Sequence, residues 1–125
     1  VEVSSASFGR LQSFTMAMIW LANTSMADDK ERLAFLTSLA DKVNKPDSQE
    51  AYVYALADVA NVKLRLQDLE GAQKDLATCQ RVLDSFDSVE TVVHASFYKV
   101  NADYYHVRIN RAYKSKRSMQ DQRHA

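Results

Sequence analysis

The side chains of this 125-residue chain that could carry metal, acid–base or nucleophilic chemistry are His94, His106 and His124, the single cysteine Cys79, and one pair of adjacent carboxylates, Asp28-Asp29. Their spacing argues against each use in turn. His94 and His106 stand twelve residues apart, roughly 18 Å along a helix, so they cannot share a metal. Cys79 falls on an apolar seam between Leu76 and Leu83 and reads as a buried, inert thiol, because a thiolate needs nearby positive charge or a helix N-terminus. Consecutive helical residues point in different directions, so Asp28-Asp29 reads as a helix cap and not as a catalytic dyad. The chain contains no HExxH and no GxSxG, and its two glycines, Gly9 and Gly71, cannot build a phosphate cradle. The sequence therefore predicts no catalytic residue, no cofactor, no metal site and no small-molecule substrate.

Charge and aromatic side chains suggest contacts instead. The formal net charge is zero, yet residues 106–125 hold Arg108, Arg111, Lys114, Lys116, Arg117 and Arg123 against Asp121 alone, a net of +5 that leaves −5 on the rest. This basic end reads as a solvated terminal segment, with only weak, non-specific association with nucleic acid expected at physiological ionic strength. Tyr98, Tyr105 and Tyr113 are the candidate partner or repeat-stacking surface. Tyr98 and Tyr105 sit seven residues apart, on a face adjoining the one that carries Tyr104.

Whatever holds these residues must be helical. Two glycines and one proline supply too few turns for a sandwich or barrel of short strands, which excludes an all-β fold. Hydrophobic residues make up 46% and charged residues 26%, the balance of a globular domain, and one cysteine rules out a disulfide framework within the chain. The longest strongly apolar stretch, Met16–Ala22, is far shorter than the ~20 residues a membrane span requires, and it lacks the flanks of a signal peptide. Composition predicts a soluble intracellular helical domain, and a first residue that is Val1 predicts a piece of something longer.

Apolar residues recur at helical period throughout. Leu11, Phe14, Met18 and Leu21, widened by Ile19 and Trp20, predict a first helix from about Phe8 to Ser25. The second, capped by Asp28-Asp29, carries Leu33, Leu36, Leu39, Ala40 and Val43 and stops at Lys45-Pro46. Asp47 and Glu50 have the spacing of a capping box before a third helix with Val53, Leu56, Ala57, Ala60 and Leu64 on its face. After Gln67-Asp68 comes a fourth, marked by Leu69, Ala72, Leu76, Cys79, Leu83 and Phe86, with Gly71 where a neighbouring helix could approach closely. A fifth begins near Ser88 with Val93, Phe97, Val100, Tyr104 and Val107, and its pattern breaks down after Asn110. Leu36, Leu56, Leu76, Cys79, Leu83, Phe97 and Tyr104 are the expected core.

Connections this short force antiparallel neighbours, so the fold expected is all-α: helical hairpins stacked as a TPR-like, PCI-type α-solenoid. Gln67-Asp68-Leu69-Glu70-Gly71-Ala72 resembles the turn inside a tetratricopeptide hairpin, with Ala72 small enough for close packing. The expected division is a helical-repeat domain over residues 1–114 and a basic, frayed segment over 115–125.

The run Val93-His94-Ala95-Ser96-Phe97-Tyr98, then Tyr104-Tyr105, then Ala112-Tyr113-Lys114, resembles a stretch of the non-ATPase regulatory subunit 13 family, PCI-domain proteins of the proteasome lid in the 19S regulatory particle. The stretch from Glu50-Ala51 through Lys63-Leu64 to Asp68-Leu69 is similar to that family's preceding hairpin, and Phe8, Leu36 and Lys42-Val43 extend the likeness. The Val-His-x-x-Phe-Tyr and Tyr-Tyr pattern is its specific part; the remainder is generic helix. The interval between Tyr105 and Tyr113-Lys114 is shorter than the family's, and from Ser115 the sequence departs from the family's hydrophobic helix. The family's C-terminal winged-helix PCI module does not occur in this chain. The resemblance implies a non-catalytic scaffold that contacts other proteasome lid subunits in ubiquitin-dependent degradation, in cytoplasm and nucleus, without a membrane. A helical adaptor of another PCI complex (signalosome or translation initiation), or an RNA-associated module using the basic end, is the alternative.

Overall fold

The computed structural model describes the backbone of residues 2–86 and 91–124 and the side chains of 13–86 and 92–122. It contains five helices: α1 (Glu2–Ser25), α2 (Asp29–Val43), α3 (Gln49–Arg65), α4 (Leu69–Asp84) and α5 (Thr91–His124). No strand occurs among the described residues. The expected start near Ser88 and the side chains of Phe8, Leu11 and His124 lie outside the described residues.

α3 is the axis of the molecule and packs against each of the other four helices. The predicted stripe of Val53, Leu56, Ala57, Ala60 and Leu64 is buried, but so are Ala51, Ala55, Val59 and Val62 on the remaining faces. A helix that is apolar all round belongs inside, and its alanines let four neighbours approach. α2 and α4 lie against α3 as the arms of two hairpins, and α5 closes over α3 and α4. Each of the seven expected core residues, from Leu36 to Tyr104, is at most 8% exposed.

The ends of α2 and α4 are fixed by local chemistry. Asp28 caps α2, its carboxylate accepting from the Lys30 amide at 3.1 Å, and Asp68 caps α4 by accepting from the Gly71 amide at 2.9 Å. Gly71 serves that cap and not a helix crossing: a Cβ there would stand 2.2 Å from the Asp68 carboxylate. The small residue that permits the close α3–α4 contact is Ala72, which is fully buried.

The turn between α3 and α4 closes as a Schellman motif. The Asp68 amide donates to the Lys63 carbonyl at 2.9 Å and the Gln67 amide to the Leu64 carbonyl at 3.1 Å, which requires the left-handed conformation that Gln67 adopts at φ 66°. A side chain there costs roughly 1–2 kcal/mol against glycine's near-zero penalty, partly offset by glycine's larger unfolded entropy. Gln67→Gly is therefore expected to stabilise the chain by about 0.5 kcal/mol, read as a higher urea midpoint at unchanged slope. An unchanged or lower midpoint would show that the bond from Arg111 to the Gln67 side chain, 2.8 Å, outweighs the strain.

Three sequence expectations are corrected. The capping box at Asp47 and Glu50 does not form: the N-cap of α3 is Ser48, which makes no side-chain cap. Ser48 is buried, and its hydroxyl donates to the Val43 carbonyl at 2.6 Å, satisfying the end of α2 instead of the start of α3. On α1 the buried face is Thr15, Ile19 and Ala22, while Phe14, Trp20 and Leu21 are 55%, 67% and 47% exposed. Only α2 and α3 touch α1, so one side alone is covered, and the smaller side chains take it. Finally, the segment expected to fray over 115–125 is helical as far as it is described, since α5 runs unbroken to His124. No glycine or proline interrupts it, Ala, Arg, Lys, Met and Gln favour helix, and positive charge near a C-terminus suits the helix dipole. The missing apolar stripe shows in exposure instead: every described side chain from Arg108 to Gln122 is exposed.

Candidate protein-docking surface

The chemistry-bearing residues are dispersed. His94 is half-buried and meets Tyr98 edge-on, with ring centroids 5.6 Å apart, while His106 is exposed farther along α5. Among the described residues no three His, Cys, Asp or Glu side chains converge as metal ligands. Cys79 is fully buried on α4, with its thiol 3.8 Å from the Val53 carbonyl as donor. Burial first, and the nearby Asp75 carboxylate second, push that thiol up to about 12, which keeps it protonated and unreactive. Asp28 serves the cap already described, and Asp29 binds Arg32 at 3.0 Å.

Two carboxylates on the α3 side of the core do carry unusual character. Asp58 accepts from the Asn23 amide at 3.3 Å, and Asp75 on α4 meets Lys63 on α3 at 2.7 Å. Burial raises both above the ordinary carboxylate range; their partners, Asn23 and Arg32 for Asp58 and Lys63 for Asp75, only partly offset it. The folded state thus holds these protons more tightly than the unfolded chain does. Stability is accordingly expected to rise as pH falls from 7 toward the unfolded carboxylate range near 4, and to be lost as pH rises through the folded values. Urea midpoints across that range test it; Asp58→Asn/Asp75→Asn should flatten the slope, and a wild-type slope of opposite sign would refute it.

What remains as a candidate site is surface. Tyr98, Tyr105 and Tyr113 are 55%, 50% and 64% exposed on α5, whereas Tyr104 belongs to the core beside Val93, Phe97 and Val100. Tyr105 also edges a shallow groove of about 240 Å³ between α4 and α5, whose floor includes Leu76 and Phe97. The structure adds Ile109 and Met119, both exposed on α5. Their signal was the spacing itself, which continues from Tyr105 once α5 is known to extend that far. A second apolar depression, between α1 and α2, is lined by Phe14, Met18, Phe35 and Leu39. The apolar spacing on α1 marks a helix but does not show which of its sides a neighbour leaves open. No helix of the described residues is long and apolar enough to cross a membrane.

Comparison with known proteins agrees with this architecture. The family model for PSD13 N-terminal repeats matches residues 5–116. The chain is 33% identical over 75 residues to a Schizosaccharomyces pombe protein described as "Probable 26S proteasome regulatory subunit rpn9", covering 60% of this chain and 20% of that one. It is 29% identical over 99 residues to the 26S proteasome non-ATPase regulatory subunit 13 of Dictyostelium discoideum, covering 77% of this chain and 25% of that one. The chain thus spans a quarter or less of the length of these curated relatives. No solved structure matches. The hairpin stack, the buried Val93–Phe97–Tyr104 seam and the match along most of the sequence together make this chain a member of the PSD13 N-terminal repeat family.

Proposed function

We propose that this chain is a non-catalytic scaffold portion of a subunit of the proteasome regulatory particle lid, acting in ubiquitin-dependent degradation through protein–protein contacts. The observation that carries the reading is the family match over residues 5–116, in relatives whose names describe regulatory and non-ATPase subunits of the 26S proteasome. The exposed face of α5 supports it, because a row of aromatic and aliphatic side chains left in water has an energetic reason to be covered. The partners are other lid subunits, and the location that follows is cytoplasm and nucleus. The buried Cys79 thiol, pushed up to about 12, is a poor nucleophile, which accords with this reading.

Affinity purification of the tagged protein from its own cells tests the proposal. Co-purification of regulatory-particle subunits in stoichiometric amount is the expected result. Recovery of signalosome or translation-initiation subunits without proteasome subunits would reject it in favour of another PCI assembly.

A further inference from the structure

The outward side of α5 carries a regular pattern beyond the three tyrosines. Tyr98, Ala102, Tyr105, Ile109, Ala112 and Met119 follow one another at alternating steps of four and three, with Lys116 completing the row. That is the spacing of the a and d positions of a coiled coil. At 100° per residue this row lies about 120° around the helix from the buried Val93–Phe97–Val100–Tyr104 seam, so it is a second, separate face. All its members are exposed. Beside it stand the cations Lys99 and Arg117 on one side and Arg108 on the other, among the uncharged Asn101, Tyr113 and Ser115, while the carboxylates of α5, Asp103 and Asp121, lie about 150° around the helix from the row's centre.

We propose that this face is a docking surface for an amphipathic helix of a partner protein whose apolar seam is flanked by acidic side chains. The inference rests on the reading that the chain works through protein contacts, and it specifies the chemistry of the contact. Charge complementarity selects the occupant. A second copy of α5 in either orientation would set Lys99, Arg108, Lys116 and Arg117 against their own kind, which disfavours self-pairing. A helix with Glu or Asp beside its seam meets those four cations favourably, while its apolar side chains cover Tyr105 and Ile109. The groove between α4 and α5, which Tyr105 borders, gives such a helix a seat against the body.

The test uses the 125-residue chain and two labelled helical peptides of about four heptads, each with a leucine seam, one flanked by glutamate and one by lysine. The glutamate peptide is expected to bind at least about tenfold more tightly, with the advantage shrinking as salt rises. Tyr105→Asp/Ile109→Asp should weaken it by roughly tenfold or more, at unchanged helical circular dichroism because both residues are exposed. Lys99→Glu/Arg108→Glu should reverse the preference between the peptides. Equal affinity for the two peptides, a concentration-dependent dimer of the chain in sedimentation, or displacement of the glutamate peptide by single-stranded RNA would overturn the proposal. None of these readings depends on proteasome subunits co-purifying, so failure of the lid assignment and failure of this surface are distinguishable.

Discussion

Phe97→Ala is expected to cost about 3–5 kcal/mol of folding stability, among the larger penalties in the chain. Phe97 is 1% exposed and the largest of the fully buried side chains. It sits where α5 packs over α3 and α4, and α5 is held there by a short row of buried residues, Val93, Phe97, Val100 and Tyr104. Truncation removes apolar area and leaves a cavity, because α3 is already packed on every side and cannot collapse to fill it. Urea unfolding followed by circular dichroism reads the loss as a lowered midpoint. Tyr113→Ala, on the same helix but 64% exposed, serves as the control and should stay within about 0.5 kcal/mol of wild type. A Phe97→Ala penalty below about 1 kcal/mol would mean that α5 is not docked as described.

Sequence made the seams of α4 and α5 legible because each has a single buried face at constant period. Ala72, Leu76, Cys79 and Leu83, and Val93, Phe97, Val100 and Tyr104, could be read without knowing what they face. α1 could not. Phe14, Trp20 and Leu21 are the larger apolar side chains, yet the helices alongside α1 bury Thr15, Ile19 and Ala22 and leave the larger three about half exposed or more. Burial there is decided by which helix lies alongside, not by which residue is more apolar. The start of α3 was hidden for a related reason: Ser48 is committed to the Val43 carbonyl across the loop, a tertiary choice that overrides the local Asp47–Glu50 pattern. The candidate surface was half visible. Tyr98, Tyr105 and Tyr113 stand apart from the core seam in sequence, but Ile109 and Met119 join them only because α5 stays helical to His124.

Arg32→Ala should cost about 2–3 kcal/mol, through the loss of a buried charge that organises the α1–α2 junction. The Arg32 side chain is 7% exposed and binds Asp29 at 3.0 Å, and its other terminal nitrogen donates to the Met26 carbonyl in the connection from α1. Alanine removes both bonds and the packing of the aliphatic stem. The full penalty for breaking a buried pair is not expected, because Asp29 is 32% exposed and also has Arg65 at 3.8 Å. Arg32→Met keeps most of the stem and should recover about half of the loss. A second readout separates charge from packing. Arg32 helps hold the partly buried Asp58 carboxyl down, so its removal, by alanine or by methionine, lets that carboxyl rise further. The folded state then takes up its proton at higher pH, and the gain in stability on acidification should begin nearer neutrality and become larger. If Arg32→Met matches wild type in midpoint and in pH slope, the guanidinium contributes nothing at this junction and only the stem matters. If both variants lower the midpoint and steepen the slope, the charge of Arg32 is part of what holds α1 and α2 against α3.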